Sequence, residues 1–103
     1  MNMMKLMKQA QAMQSKMQQM QQELGKKHYE ASAGGNAIKA VTSGDGNLIS
    51  LKIDPEFLKQ ADAEMLEDLL LTAIRESLEK GRTEMQGEMG KMTAGLGLPP
   101  GLM

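Results

Sequence analysis

The sequence predicts an α+β protein with order α-β-β-β-α: a helical arm, a three-stranded antiparallel sheet, and a second long helix that ends as another arm. Three observations predict it. Apolar residues near the start recur at alternating spacings of three and four. A middle stretch alternates apolar and polar residues between glycine-rich turns. After it, Asp54-Pro55 opens a return to helical spacing.

The first element spans residues 3–24. Met3, Leu6, Ala10, Met13, Met17, Met20 and Leu24 form a heptad seam, separated mainly by Gln, Lys and Ala, which tolerate helix well. The seam is narrow, so the helix is expected to pack on one neighbour. Gly25 and then Lys26 and Lys27 are expected to stop it. Residues 1–27 are read as the N-terminal arm.

Residues 28–53 are read as the sheet. Tyr29, Ala31 and Ala33 alternate with Glu30 and Ser32, and Gly34-Gly35-Asn36 is a turn. Ile38 and Ala40 flank Lys39 in the next strand, and Ser43-Gly44-Asp45-Gly46-Asn47 is a second turn. Ile49, Leu51 and Ile53 alternate with Ser50 and Lys52, the clearest strand pattern. Short strands joined by tight turns make a meander, and its edges can recruit a second copy.

Residues 54–92 hold a short turn through Leu58 and a long helix from about Ala63, with Glu64, Glu67 and Asp68 near its positive end. Its apolar face is broad from Leu66 to Ile74, as for a helix on a sheet. Beyond that it thins to Leu78, Gly81, Met85 and Met92, as for an arm leaving the body. Gly81, Gly87 and Gly90 each cost about 1 kcal/mol of helix propensity, which predicts a pliable arm. Residues 93–103 are read as a Gly/Pro tail.

Composition narrows the function. The 103 residues include twelve Met, one Phe, one Tyr, no Trp and no Cys. A chain so poor in aromatics is expected to complete its core by self-association, with Met13, Met17, Met20, Leu24, Ile49, Leu51 and Ile53 as core or dimer seam. The lack of Cys excludes disulfides and thiolate chemistry and fits a reducing compartment. No apolar run is long enough to span a membrane, and the first residues lack a secretory apolar core.

No catalytic or metal constellation stands out. His28 is the single histidine, the glycine-rich turns match no phosphate-loop pattern, and Glu64, Glu67 and Asp68 read as helix-start acids. No enzyme activity, cofactor, metal, membrane or small-molecule substrate is expected.

Charge is uneven. Residues 1–27 carry Lys5, Lys8, Lys16, Lys26 and Lys27 against Glu23 alone, whereas residues 54–80 carry eight acids against Lys59, Arg75 and Lys80. Lys5 and Lys8 point away from the seam and Lys16 lies on its flank. These lysines are either a solvated face or phosphate contacts, with Arg82 and Lys91 contributing from the second arm. The net charge of −1 argues against a basic domain. The Met stripe is a simple seam, a surface for partner helices as in a protein–protein adaptor, or, since Lys and Met share the segment, a membrane-surface helix, which the few Lys on a mainly Gln polar face argue against. The residues alone lead to a dimeric interaction protein with helical arms.

Four segments add more: Leu6-Met7-Lys8-Gln9-Ala10-Gln11-Ala12-Met13-Gln14, Ile53-Asp54-Pro55, Glu64-Met65-Leu66-Glu67-Asp68-Leu69 and Leu98-Pro99-Pro100-Gly101. In their order and spacing the chain resembles the YbaB/EbfC family of bacterial nucleoid-associated proteins. The resemblance implies a tweezer-like homodimer whose helical arms bind double-stranded DNA with little sequence preference. It also implies a cytoplasmic, nucleoid location and effects on nucleoid organisation and gene expression. Charge and facing map the contacts to Lys5, Lys8, Lys16, Arg82 and Lys91.

Overall fold

A computed structural model describes residues 2–95. The elements run α1 (Met3–Lys26), β1 (His28–Ala33), β2 (Ile38–Ser43), β3 (Leu48–Ile53), α2 (Pro55–Gln60) and α3 (Ala63–Gly95). The strands form one antiparallel sheet in the order β1-β2-β3. The Leu98-Pro99-Pro100-Gly101 segment lies outside the described residues.

Capping sets the helix starts. Asn2 accepts hydrogen bonds from the backbone of Met4 and Lys5 at 3.1 and 3.4 Å, so α1 has an N-cap that its seam alone does not reveal. Asp54 caps α2 through the Glu56 N–H at 3.1 Å, with Pro55 in the first turn. Asp62 receives the Met65 N–H at 2.7 Å where α3 begins. Gly25 does not stop α1. It is buried in the last turn, and the helix ends on Lys27, whose backbone is extended at φ −70° and ψ 143°.

The sheet packs one face against α3. Ile38 pairs with Ile53, Ala40 with Leu51 and Ala31 with Ala40, so these positions share a face. The core is small: Ala33, Ile38, Ala40 and Ala73 are buried, with Phe57, Leu66, Leu69 and Leu70 among those packed around them. A buried polar thread runs through it. Thr42 Oγ1 and Ser77 Oγ lie 2.5 Å apart, and Ser77 donates to the Tyr29 carbonyl at 2.6 Å. This thread ties β1, β2 and α3 together.

α3 covers β1 and β2 and leaves β3 outside its shadow. Ile53 is half-buried beside the core, but Ile49 and Leu51 stay 48% and 38% exposed. A bulge between Val41 and Thr42 shifts the register so that Thr42 faces Leu48 rather than Ile49. Leu71, Ile74 and Leu78 line one flank of α3 at helical spacing. Leu78 also lines a notch with the Ser43–Gly46 turn that leads into β3, so this flank lies on the β3 side. β3 and that flank form a largely uncovered apolar face.

The molecule is long, 70 × 23 × 16 Å. α1 and α3 measure about 36 and 50 Å at 1.5 Å per residue, so both must lie mostly along the long axis. The end of α1 comes up against α3, and Lys27 Nζ, just past the helix, contacts Glu84 Oε1 at 2.5 Å. From there α3 continues about 16 Å to Gly95, while α1 runs back about 36 Å to Met3. Burial follows this geometry. Met13, Met17 and Met20 are half-buried and Leu24 is buried, but Met3, Met4 and Met7 are 74%, 71% and 60% exposed.

Candidate nucleic-acid interface

The junction that aims α1 is built from close backbone approaches. The β2–β3 turn packs on the end of α1: Gly44 donates to the Lys27 carbonyl at 3.0 Å and Asp45 to the Gly25 carbonyl at 3.2 Å. These bonds satisfy carbonyls that a helix end leaves open. A Cβ on Gly44 would sit 2.7 Å from the Leu24 carbonyl carbon and closer still to its oxygen. Gly81 is likewise buried, and a Cβ there would lie 3.1 Å from the Tyr29 ring. At Gly81 the missing side chain makes room for the ring. Gly87 and Gly90 face open space.

Tyr29, Glu84 and Lys27 complete the junction. Burial pushes the Tyr29 hydroxyl up to about 12, and the nearby Glu84 carboxylate adds to the shift. That hydroxyl is buried and makes no hydrogen bond of ordinary geometry among the described residues. The Lys27 ammonium beside Glu84 holds its carboxyl below the usual carboxylate range. Neither Lys27 nor Gly44 stands out in the sequence, because their roles depend on which turn meets which helix end.

Lys5, Lys8 and Lys16 all lie on exposed positions of α1. At 100° per residue, Lys5, Lys8 and Lys16 fall within an arc of about 80°. Lys26, which the sequence reading did not include, falls in the same arc. The four extend about 32 Å along the helix. Among the described residues none of them is in an ion pair. Glu23 is the one acid on α1.

The second-arm candidates differ. Arg82 Nη1 is paired with Glu79 Oε2 at 2.7 Å, and Lys91 Nζ with Glu88 Oε1 at 3.3 Å. Both acids stand three residues before their partners, a pairing legible in the sequence. Among the described residues no hydrogen bond or ion pair links Arg82 or Lys91 to the α1 lysines. Asp54, Glu56, Asp62, Glu64, Glu67 and Asp68 cluster around α2 and the start of α3, leaving the body acidic and α1 basic.

Comparison with known proteins decides the family. The model of the YbaB/EbfC DNA-binding family matches residues 1–96. The chain belongs to that family. A nucleoid-associated protein from Pelotomaculum thermopropionicum is 44% identical over 98 residues, covering 95% of this chain and 93% of the relative. Another from Clostridium kluyveri is 47% identical, covering 95% and 86%. The crystal structure of the uncharacterized protein HP0035 from Helicobacter pylori superposes with a TM-score of 0.75 at 20% identity, covering 89% of this chain and 97% of that one. That likeness speaks to the fold. Among the described residues no helix is long and apolar enough to cross a membrane, and no cluster of three potential metal ligands occurs.

Proposed function

We propose that this chain acts as a homodimer that binds double-stranded DNA through its phosphates, with little sequence preference, by way of the lysine stripe on α1. Its place of action is the nucleoid in the cytoplasm, where it affects DNA organisation and gene expression. The stripe carries the reading. Lys5, Lys8 and Lys16 share one side of an exposed helix, are free of carboxylate partners and project away from the acidic body. With Lys26 in the same arc the stripe extends about 32 Å, close to one turn of duplex DNA, about 34 Å. Lysines on a helix flank meet phosphate oxygens as point charges and offer no bidentate fork for base edges, which favours loose sequence preference. Arg82 and Lys91 contribute after releasing Glu79 and Glu88, so their share is smaller.

Dimerisation follows from the uncovered face. Leu48, Ile49, Leu51 and Leu71 are 49%, 48%, 38% and 50% exposed beside a small core. Covering about 800 Å² of such surface per partner is typical of a stable interface. A second copy also doubles the lysines available to one duplex. The test combines sedimentation at micromolar concentration with fluorescence anisotropy on several unrelated duplexes at low salt. A dimer with equal affinities within a few-fold is expected. A stable monomer, or strong preference for one duplex, overturns the reading. Specific partners retained from nuclease-treated lysate, with no DNA binding, would favour the adaptor alternative.

A further inference from the structure

All sulfur in this chain is thioether: twelve methionines and no cysteine. Its distribution is lopsided. Nine of the methionines lie on α1 and the distal half of α3. The body core is built from Ala, Ile, Leu and Phe, and the one methionine on the body among the described residues, Met65, is 48% exposed. Met13, Met17 and Met20 sit at successive seam positions of α1 and are half-buried, while Met85, Met89 and Met92 are half-buried on the arm of α3. Leu is as good a helix former as Met and a better specifier of such a seam than a flexible thioether. Packing alone therefore does not explain the concentration of Met.

We propose that the methionine seam is a modification site at which peroxide, or a hypohalous acid, converts thioether to sulfoxide and so uncouples α1 from α3. With peroxide, the sulfur lone pair attacks one peroxide oxygen, the O–O bond breaks, an S–O bond forms and water leaves. Sulfur is oxidised by two electrons and the peroxide is reduced by two. A reductase using two thiols returns the thioether, giving a disulfide and water.

Half-burial makes the seam both reachable and sensitive. Part of each side chain meets solvent, so oxidant does not need global unfolding to reach it. The rest is packed, and a polar sulfoxide there loses apolar contact and demands hydrogen bonds the seam does not offer. Met3, Met4 and Met7 are already largely exposed, so their oxidation removes little packing. The half-burial of Met13, Met17 and Met20 marks the packed face of α1, and in proteins such packing rather than intrinsic propensity supplies most of a helix's stability. Loss of the seam frays α1 and scatters the lysine stripe, while the sheet and the uncovered β3 face keep their packing. The consequence for DNA rests on the function proposed above. The uncoupling of the arm does not.

The test treats the full-length protein with hydrogen peroxide and follows site-resolved mass spectrometry, far-ultraviolet circular dichroism, sedimentation and DNA binding on the same samples. Helicity should fall as Met13, Met17 and Met20 oxidise, not as Met3, Met4, Met7 or Met65 do. The assembly state should hold, DNA affinity should drop about tenfold, and a methionine sulfoxide reductase should restore both signals. A Met13→Leu/Met17→Leu/Met20→Leu variant keeps the α1 side of the seam apolar without thioethers. Compared with its own untreated sample, it should retain helicity under oxidant. Equal loss in this variant, or full oxidation of the three sites with helicity unchanged, overturns the proposal. If the variant does not fold, the order of oxidation against helicity in the natural chain decides alone. If untreated protein fails to bind DNA while oxidation still melts the arm, the function is wrong and the modification site stands.

Discussion

Replacing Gly44 with Ala probes the junction that aims α1. The new Cβ would lie 2.7 Å from the Leu24 carbonyl carbon, and it faces backbone that cannot rotate away. Ordinary carbon–carbon contact requires about 3.5 Å, so the β2–β3 turn must retreat by roughly 1 Å. The bonds from Gly44 to Lys27 and from Asp45 to Gly25, now 3.0 and 3.2 Å, then stretch to about 4 Å and are lost. Two bonds at about 1 kcal/mol each, together with poorer packing of Leu24, outweigh the 0.4–1 kcal/mol or so that Ala gains by restricting the unfolded chain. The net is about 2 kcal/mol, or a melting temperature lower by about 10 °C for a chain of this size. Thermal unfolding followed by circular dichroism reads it directly. Gly87→Ala is the control: nothing lies near that position, so removing a helix glycine should raise stability by up to about 1 kcal/mol. A Gly44→Ala protein as stable as its parent would refute the junction as described.

Other perturbations separate the remaining parts. Folding raises the Tyr29 hydroxyl from 10.0 to about 12, so its contribution is intact below pH 10 and is lost as pH climbs toward 12, by about 2–3 kcal/mol. Denaturant midpoints across that window should fall further for the natural chain than for Tyr29→Phe; parallel curves would contradict it. Ser77→Ala strands the Tyr29 carbonyl and the Thr42 hydroxyl in a buried site, and urea unfolding should show a loss of about 2 kcal/mol. Leu51→Asp places a charge on the uncovered β3 face, so sedimentation at micromolar concentration should find a folded monomer; an unchanged dimer would move the interface elsewhere.

How much of this was legible in the sequence varies with the range of the interaction. The α1 seam, the strand alternation and the Asp54-Pro55 start are local, and each lands within a few residues of its element. The division of α3 into a sheet-covering half and an arm was also legible, from the thinning of its apolar face. The junction was not. Gly44, Gly81 and Lys27 acquire their roles only when a turn, a ring and a helix end meet, and no periodicity encodes that meeting. Ile49 and Leu51 show the same limit: alternation gives them an apolar face, but only the position of α3 over β1 and β2 reveals that a single chain leaves that face open. For Arg82 and Lys91 the signal was present, since Glu79 and Glu88 stand at pairing distance on the same helix.

The salt dependence of DNA binding bears most directly on the lysine stripe. Three lysines from each of two protomers that neutralise six phosphates give a slope near −5 in log affinity against log salt. Lys5→Ala/Lys8→Ala/Lys16→Ala should flatten that slope toward zero and weaken unrelated duplexes alike. A triple variant that keeps both the slope and the affinity of its parent would show that DNA is held somewhere other than α1.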